Sequence, residues 1–317
     1  MKLIIQIACY NEEKVLPVTL SELPRQMEGF DKVEWLIIDD GSTDNTVEVA
    51  KSHGVDHIVR FTKNQGLAKG FVAGIDACLR LGADVIVSTD ADNQYDARDI
   101  PKLIKPILDG KAEIVVGARP IEEIKHFSPV KKYLQKIGSW VVRIASNTDI
   151  PDAPSGFRAM SRDAAMHLHV FNEYTYTLET IIQAGQKGMA ITSVQIRTNK
   201  DLRPSRLIKS IPSYIKQSIF TIIRIFMTYR PLKFFAVPGI ISFSFGILIS
   251  LRFIYFFFTG NGRGHIQSLI LAALLLGTGI ALCIIALIAD LISINRKLLE
   301  KIDLRIQKIE ERVTDTK

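Results

Sequence analysis

Cysteine is scarce in this chain: Cys9, Cys78 and Cys283 are the three in 317 residues, and they lie far apart. Disulfide frameworks and thiolate metal sites need paired or closely spaced cysteines, so this scatter argues against both and favours a reducing cytosolic compartment. Two glycine motifs are also missing. Asn64–Gly70 contains glycines and a lysine but lacks the P-loop spacing, and no G-x-G-x-x-G follows the first predicted strand. Both a P-loop NTPase and a Rossmann oxidoreductase are therefore disfavoured.

The charge balance is basic, with 40 Lys and Arg against 33 Asp and Glu and a net charge of +7. The basic residues are concentrated around two long apolar stretches near the C-terminus. Because of this placement, we expect anionic lipid headgroups or phosphate groups as partners and no nucleic acid.

The two apolar stretches, residues 234–258 and 266–290, are each long enough to cross a bilayer. The loop between them contains one arginine, whereas the outer flanks are more basic and contain Arg230, Lys233, Arg296, Lys297 and Lys301. By the positive-inside rule, we expect a multi-pass protein of the cell membrane with both termini and the preceding domain in the cytosol.

These stretches divide the chain into four predicted parts. A globular domain occupies residues 1–204, an amphipathic basic segment 205–232, the two membrane helices 233–293 and a cytosolic helix 294–317. The amphipathic segment is typical of a helix in the membrane interface, although packing on the globular domain is the alternative. Apolar residues in the last part follow a heptad spacing. This spacing is consistent with a homo-oligomer and equally with a solvated amphipathic tail.

The first 120 residues alternate short apolar runs with helical patterns. The runs at 3–8, 35–38, 57–60, 85–89 and 114–117 are predicted strands, and the segments between them carry helical spacing. This order predicts an α/β fold, a mainly parallel sheet flanked by helices. Ligands of such sheets bind beyond the carboxyl ends of the strands, where polar clusters occur in this sequence.

Two acidic clusters follow predicted strands. Asp39 and Asp40 precede a glycine turn, and two adjacent carboxylates repel each other unless a hydrogen-bonding or positive group is bound. A nucleoside would satisfy them, although an ordinary strand–turn–helix connection is the alternative. Asp90 and Asp92 stand two residues apart, so in extended chain they share a face and can hold Mg²⁺ or Mn²⁺, with Gln94 as a further ligand. An acidic surface loop is the alternative for this second cluster.

Five motifs together resemble the family 2 glycosyltransferases with a GT-A fold. They are Ala8–Glu13, Asp39–Thr46, Asn64–Gly70, Asp90–Gln94 and Ser155–Arg158, and they span most of residues 1–200 in the order of that family. The Arg203-Pro204-Ser205-Arg206 segment and the membrane hairpin resemble its polyprenyl-phosphate glycosyltransferases, the group that includes dolichol-phosphate mannose synthase. The Gln-x-x-Arg-Trp signature of processive synthases is absent, so polymerisation is not expected.

This resemblance implies an inverting, metal-dependent transfer of a monosaccharide from a nucleotide diphosphate sugar to a polyprenyl phosphate at the cytosolic face of a lipid bilayer. The residues implied for the nucleotide sugar are Ala8, Tyr10, Asn11, Glu12, Asp39, Asp40, Lys69, Asp90, Ala91 and Asp92. The metal ligands for Mg²⁺ or Mn²⁺ are Asp90, Asp92 and Gln94. The residues implied for the acceptor phosphate are Arg119, Lys131, Arg158, Arg203 and Arg206, and Asp90, Asp92, Arg203 and Arg206 form the catalytic set.

Two points stay open at the level of sequence. Glu179 matches a position at which the family often has an acid, and a structural role is as plausible there as a catalytic one. The alternatives to the polyprenyl-phosphate reaction are transfer to another membrane lipid, which would need a base to deprotonate a hydroxyl, and a membrane-anchored scaffold that binds sugar nucleotides without catalysis.

Overall fold

The computed structural model describes residues 1–120, 129–168, 170, 176–200, 202, 219–220, 223–224, 227–259 and 266–315. The described chain forms two units, Met1–Ile219 and Phe220–Lys317. The predicted domain boundary at residue 204 stays a prediction, because residues 203–218 lie outside the described part of the chain. Most of the predicted interfacial segment 205–232 lies outside the described residues.

The first unit contains a seven-stranded sheet flanked by helices. Its strands are β1 (Lys2–Cys9), β2 (Lys32–Asp39), β3 (His57–Arg60), β4 (Val85–Asp90), β5 (Ile114–Ala118), β6 (Arg158–Ser161) and β7 (Ile191–Gln195). Its helices are α1 (Leu16–Glu22), α2 (Thr46–Ser52), α3 (Leu67–Arg80), α4 (Ile100–Leu108), α5 (Pro129–Ser146), α6 (Arg162–Met166) and α7 (Thr177–Lys187). A single 3₁₀ turn, Ala97–Asp99, precedes α4.

The strand order in the sheet is β3-β2-β1-β4-β6-β5-β7. Only β6 runs antiparallel to its neighbours; the pairs β1/β2, β1/β4, β2/β3 and β5/β7 are parallel. This confirms the predicted α/β fold with a mainly parallel sheet. Strands β2 and β3 lie on one side of β1 and β4 pairs on its other side, so the strand order reverses at β1. In open α/β sheets ligands bind at such a reversal.

The strands β1, β2, β4 and β5 are buried on both faces of the sheet. Successive residues of β1 alternate between the two core clusters: Leu3, Ile5 and Ile7 face one cluster, and Ile4 faces the other. Burial on both faces explains why the strands appear in the sequence as unbroken apolar runs without polar alternation.

The second unit consists of α8 (Pro231–Phe258) and α9 (Ile266–Asp315). Both helices are long and apolar enough to cross a membrane. Large side chains such as Phe245 and Leu248 are more than half exposed, the reverse of a buried soluble helix. The two helices pack closely at small residues: a Cβ on Gly279 would lie 2.8 Å from Phe243 Cβ. Close approach at glycine is typical of paired membrane helices.

Helix α9 contains two of the predicted parts. The membrane span predicted to end near residue 290 and the cytosolic helix predicted from residue 294 lie within one continuous helix from Ile266 to Asp315. The physical reason is that residues 280–315 contain neither glycine nor proline, so the change from apolar to charged composition is not accompanied by a helix breaker.

Candidate active site

Three of the predicted polar clusters meet at one edge of the sheet. In the strand register, Cys9 pairs with Asp39 of β2, and Ala8 pairs with Asp90 of β4. The carboxyl ends of β1, β2 and β4 are therefore at the same level, and the acidic ends of β2 and β4 lie on either side of β1. This is the reversal point of the sheet, where α/β folds bind ligands.

The loop after β1 is fixed by the loop after β2. The Asn11 amide N–H donates to Ser42 Oγ at 2.9 Å, and the Thr43 N–H donates back to Asn11 Oδ1 at 2.8 Å. The Glu12 N–H donates to Thr46 Oγ1 at 2.8 Å. Tyr10 lies between these anchors with 40% of its surface exposed. The two loops thus form a rigid edge that presents an exposed aromatic ring.

Asp39 is fully buried and interacts with the chain itself. Its Oδ1 accepts the Ser42 N–H at 3.0 Å, and its Oδ2 lies 3.1 Å from Arg60 Nε. Oδ2 accepts no hydrogen bond from any part of the chain that the structure describes. Arg60 is thus a positive group that compensates this carboxylate, and one oxygen keeps hydrogen-bonding capacity. Nucleoside binding by Asp39 stays a prediction.

Asp40 fastens the start of α3. Its two oxygens accept the N–H groups of Gln65 and Gly66 at 2.7 and 2.9 Å. Lys69 lies in the first turn of α3 and is exposed. Gly41, with φ +72°, brings the turn so close to Lys63 that a Cβ would lie 2.5 Å from the Lys63 backbone carbon. Asp40 thus holds the glycine-containing loop and the helix that presents Lys69.

The second acidic cluster is a turn. Strand β4 ends at Asp90, and Ala91 and Asp92 form a turn that is followed by Asn93 with φ 56°. Asp92 Oδ1 accepts the Gln94 N–H at 3.2 Å. The argument that Asp90 and Asp92 share a face because the chain is extended is therefore wrong, since the strand stops at Asp90. Their joint role in metal binding stays a prediction.

The turn is held by neighbouring segments on two sides. The Ala91 carbonyl accepts a hydrogen bond from Thr19 Oγ1 at 2.8 Å. The Gln94 carbonyl accepts the Asn199 N–H at 2.9 Å, and Tyr95 forms a β-bridge with Thr198. The segment that follows β7 is therefore attached directly to the acidic turn.

Arg197 of the same segment is anchored to a buried acid. Its guanidinium donates to both oxygens of Asp99, with the shortest contact at 2.7 Å. Burial by itself raises the pKa of Asp99, but hydrogen bonds from Arg197 and Lys102 outweigh it and lower the pKa from 3.8 to about 2. The carboxylate therefore stays ionised and holds the segment at neutral pH.

Gly156 lies against the Asp90 carboxylate. A Cβ at this position would lie 3.2 Å from both Asp90 oxygens and from Tyr176 Oη. The Gly156 N–H donates to Tyr95 Oη at 3.0 Å, and Tyr176 Oη donates to the Gly156 carbonyl at 3.4 Å. Burial raises the pKa of both phenols, so both keep their protons. The two tyrosines were not among the site residues predicted from the sequence, although Tyr95 directly follows Gln94.

Arg119 pairs with a buried acid. Its Nε and Nη2 donate to the two oxygens of Asp152 at 2.7 and 3.0 Å, and only 7% of the Arg119 side chain is exposed. A phosphate at Arg119 would compete with this bidentate pair. The acceptor-phosphate role of Arg119 stays a prediction.

Arg158 is 1% exposed and holds the turn that contains Gly156. Its guanidinium donates to the carbonyls of Ser155 and Ala153 at 2.8 Å each and to Thr180 Oγ1. Burial lowers the pKa of Arg158. A phosphate would reach this group only if the network opened, so the described contacts give Arg158 a positioning role that the sequence analysis did not foresee.

Of the remaining predicted site residues, some lie outside the described part of the chain. Lys131 lies in α5, but its side chain is outside the described residues, as are Arg203 and Arg206. Glu179 is buried in the first turn of α7. Gln94 is half-buried beside Asp92.

The side-chain oxygens at the acidic turn fit a hard divalent cation whose coordination is completed by a substrate. Within the described ranges, no group of three or more His, Cys, Asp or Glu residues forms a metal cluster. Asp90, Asp92 and Gln94 offer only oxygen atoms. Mg²⁺ and Mn²⁺ accept such ligands and commonly complete their coordination with substrate phosphates.

Comparison with known proteins gives three findings. The family model described as glycosyl transferase family 2 matches residues 4–168. The chain is 30% identical over 217 residues to UDP-N-acetylglucosamine–dolichyl-phosphate N-acetylglucosaminyltransferase of Methanococcus voltae, covering 61% of this chain and 83% of that protein. It is 27% identical over 206 residues to undecaprenyl-phosphate mannosyltransferase of Micrococcus luteus, covering 62% and 83%.

A solved structure shares the fold. Glucosyl-3-phosphoglycerate synthase from Mycobacterium tuberculosis, in complex with Mn²⁺, UDP and glucosyl-3-phosphoglycerate, aligns with a TM-score of 0.57 and 18% identity. The alignment covers 71% of this chain and 78% of that one. At this identity the likeness shows the fold alone.

Proposed function

Because the chain belongs to glycosyl transferase family 2, we propose that it transfers a monosaccharide from a nucleotide diphosphate sugar to the phosphate of a polyprenyl phosphate. The observation that carries the proposal is the meeting of the ends of β1, β2 and β4 at the reversal point of the sheet, in a chain with two membrane-capable helices. Relatives named for dolichyl-phosphate and undecaprenyl-phosphate transfer support this acceptor.

The donor nucleoside binds at the edge formed by Tyr10–Glu12 and Asp39. The exposed Tyr10 ring offers a stacking surface, and Asp39 Oδ2 keeps capacity for an N–H of the base once the half-exposed Arg60 side chain turns aside. The exposed Lys69 lies near the start of α3, which Asp40 anchors, and attracts the diphosphate. We infer UDP as the nucleotide, supported by a relative named for a UDP-sugar.

Asp90, Asp92 and Gln94 hold Mg²⁺ or Mn²⁺ through oxygen atoms. When bound, the cation supplies Lewis-acid compensation for the charge that develops on the departing nucleoside diphosphate. The chain fixes these ligands from both sides: Thr19 holds the turn through the Ala91 carbonyl, and Gly156 lies against the Asp90 carboxylate.

The acceptor phosphate is already ionised near neutral pH, so its oxygen attacks the anomeric carbon without a strong general base and inverts the configuration. Two anionic substrates must approach each other, and cations reduce their repulsion. Arg203 and Arg206 are the proposed phosphate-binding pair, because arginine can donate to two phosphate oxygens at once. Arg203 follows Asn199, which is hydrogen-bonded to the acidic turn, by four residues in sequence. Arg119 and Lys131 are the secondary candidates.

The reaction takes place at the cytosolic face of the membrane. Helices α8 and α9 cross the bilayer, and the basic residues Arg230, Lys233, Arg296 and Lys297 at their outer ends keep both termini in the cytosol. This orientation exposes the first unit to cytosolic nucleotide sugars while the membrane supplies the lipid acceptor.

The test of the metal role is Asp92→Ala in the full chain. We expect transfer to fall to background because one of two carboxylate ligands is lost, while resistance to alkaline extraction from membranes is unchanged. Asp109→Ala is the matched control, since Asp109 is an exposed acid at the end of α4. Turnover by Asp92→Ala equal to that of the control would remove the metal role from the proposal. A transfer rate controlled by one titrating carboxylate would instead favour a hydroxyl-bearing lipid acceptor.

A further inference from the structure

Among the described side chains of helix α5, the buried ones lie on one side. This side packs against α7 and contains Ser139, Val142 and Ala145. Ser139 Oγ also accepts the Ala153 N–H at 3.3 Å, which joins the helix to the turn that carries Gly156. The inner side of α5 is therefore part of the support of the candidate active site.

The opposite side of α5 is apolar and exposed. Tyr133, Trp140 and Ile144 are 65%, 55% and 47% exposed, and the half-buried Ile137 lies between them in sequence. Residues at i, i+4, i+7 and i+11 of a helix share one face, so these four form a single stripe. We call Tyr133, Trp140 and Ile144 the α5 outer face.

Exposed apolar side chains are grouped on α5, unlike in the rest of the first unit. In its other described helices, large apolar side chains are exposed only singly, as with Val18 in α1 and Leu108 in α4. Single exposed apolar residues are ordinary, whereas a contiguous apolar surface marks an interaction site.

The charge of the helix limits what the α5 outer face can bind. The 18 residues of α5 include no Asp or Glu and four basic residues, Lys131, Lys132, Lys136 and Arg143. Lys136 is exposed, one turn before Trp140. Contact between two copies of α5 would oppose like charges, which is unfavourable across an interface. An anionic lipid surface complements the same charges.

The residue types also match a lipid surface. Tryptophan and tyrosine are enriched at the level of lipid headgroups, where an apolar ring and a polar N–H or O–H are both satisfied. Lysine can bury its stem against apolar groups and keep its ammonium in the headgroup region. Apolar rings and lysines together therefore suit the boundary between headgroups and acyl chains.

We propose that the α5 outer face docks the first unit onto an anionic bilayer surface, with the Trp140 ring in the headgroup layer. The proposal rests on the membrane location given in the proposed function and adds a second membrane contact, outside α8 and α9. Because the opposite side of α5 supports the turn that contains Gly156, this docking would connect the membrane surface to the candidate active site through a single helix.

The chain contains only two tryptophans, Trp35 and Trp140, and Trp35 is 5% exposed. This permits a direct test with the full chain in nanodiscs of phosphatidylcholine and phosphatidylglycerol, one chain per disc, with and without bromine on the upper acyl chains. We expect bromine to reduce the emission of the native chain and to leave that of Trp140→Phe unchanged. With phosphatidylcholine alone, we expect the loss of emission to be smaller.

A matched control moves the reporter to another helix. Val18→Trp in the Trp140→Phe background places an exposed tryptophan on α1, and its emission should not respond to bromine. Equal quenching of the native chain and Trp140→Phe would overturn the proposal, as would equal quenching at position 18. The measurement needs no substrate: a chain that is quenched but inactive would refute the proposed function alone, and an active chain without quenching would refute the docking surface alone.

Discussion

The contact between Gly156 and Asp90 gives the sharpest prediction. In Gly156→Ala the new methyl group would lie 3.2 Å from both Asp90 oxygens and from Tyr176 Oη. This is closer than carbon and oxygen normally pack, so the carboxylate must move by a few tenths of an ångström. A misplacement of 1 Å in an active site can cost about a hundredfold in rate, so we expect a loss of kcat on the order of tenfold.

The assay is transfer at saturating donor, combined with a titration of the divalent cation. We expect the half-saturating cation concentration to rise, because one ligand is displaced, while the KM for the lipid acceptor changes little. Overpacking of this kind costs about 1–3 kcal/mol, so the thermal unfolding temperature reports whether the fold persists. Gly277→Ala is the control, since a Cβ there meets no atom within 4 Å. A native rate and an unchanged cation titration for a folded Gly156→Ala would refute the placement of the cation beside Asp90.

Two further predictions concern stability. The lowered pKa of Asp99, about 2, stabilises the folded state above the ordinary carboxyl pKa of 3.8. This contribution, roughly 2 kcal/mol, is lost as the pH falls from about 4 towards 2, and Asp99→Asn should abolish that part of the pH dependence of denaturant unfolding followed by Trp35 emission. Arg158→Ala removes a buried donor from three oxygen acceptors and should cost about 3 kcal/mol, seen as a lower unfolding temperature. An unchanged unfolding temperature with a raised KM for the lipid would instead make Arg158 a phosphate ligand.

Strands β1, β2, β4 and β5 could be predicted from sequence because they are buried on both faces of the sheet. Strands β1 to β5 appear as apolar runs bounded by turn residues, and the structure confirms all five. Strands β6 and β7 were missed. Strand β6 has four residues and begins at Arg158, whose charge is satisfied by carbonyl oxygens across the turn, a contact that no local pattern indicates. The antiparallel direction of β6 likewise depends on pairing between residues distant in sequence.

The candidate site could be predicted in its residue types but not in its internal contacts. The motifs at Asp39, Asp40 and Asp90 identify the edge of the sheet, because polar residues that end buried strands are recognisable locally. The contacts of these acids are not local: Arg60, which pairs with Asp39, lies 21 residues after it, and Gly156, which lies against the Asp90 carboxylate, is 66 residues after Asp90. Arg119 and Arg158, predicted as phosphate ligands, already have partners in the chain, and only the tertiary structure shows this.

The most direct test of the account is transfer from a panel of radiolabelled nucleotide sugars to polyprenyl phosphate by the purified chain, with and without EDTA. We expect one lipid-extractable labelled product, formed from a single donor and abolished by the chelator until Mg²⁺ or Mn²⁺ is restored. A chain that binds nucleotide sugars but forms no such product with any donor would contradict the account, as would a product that forms equally well in EDTA.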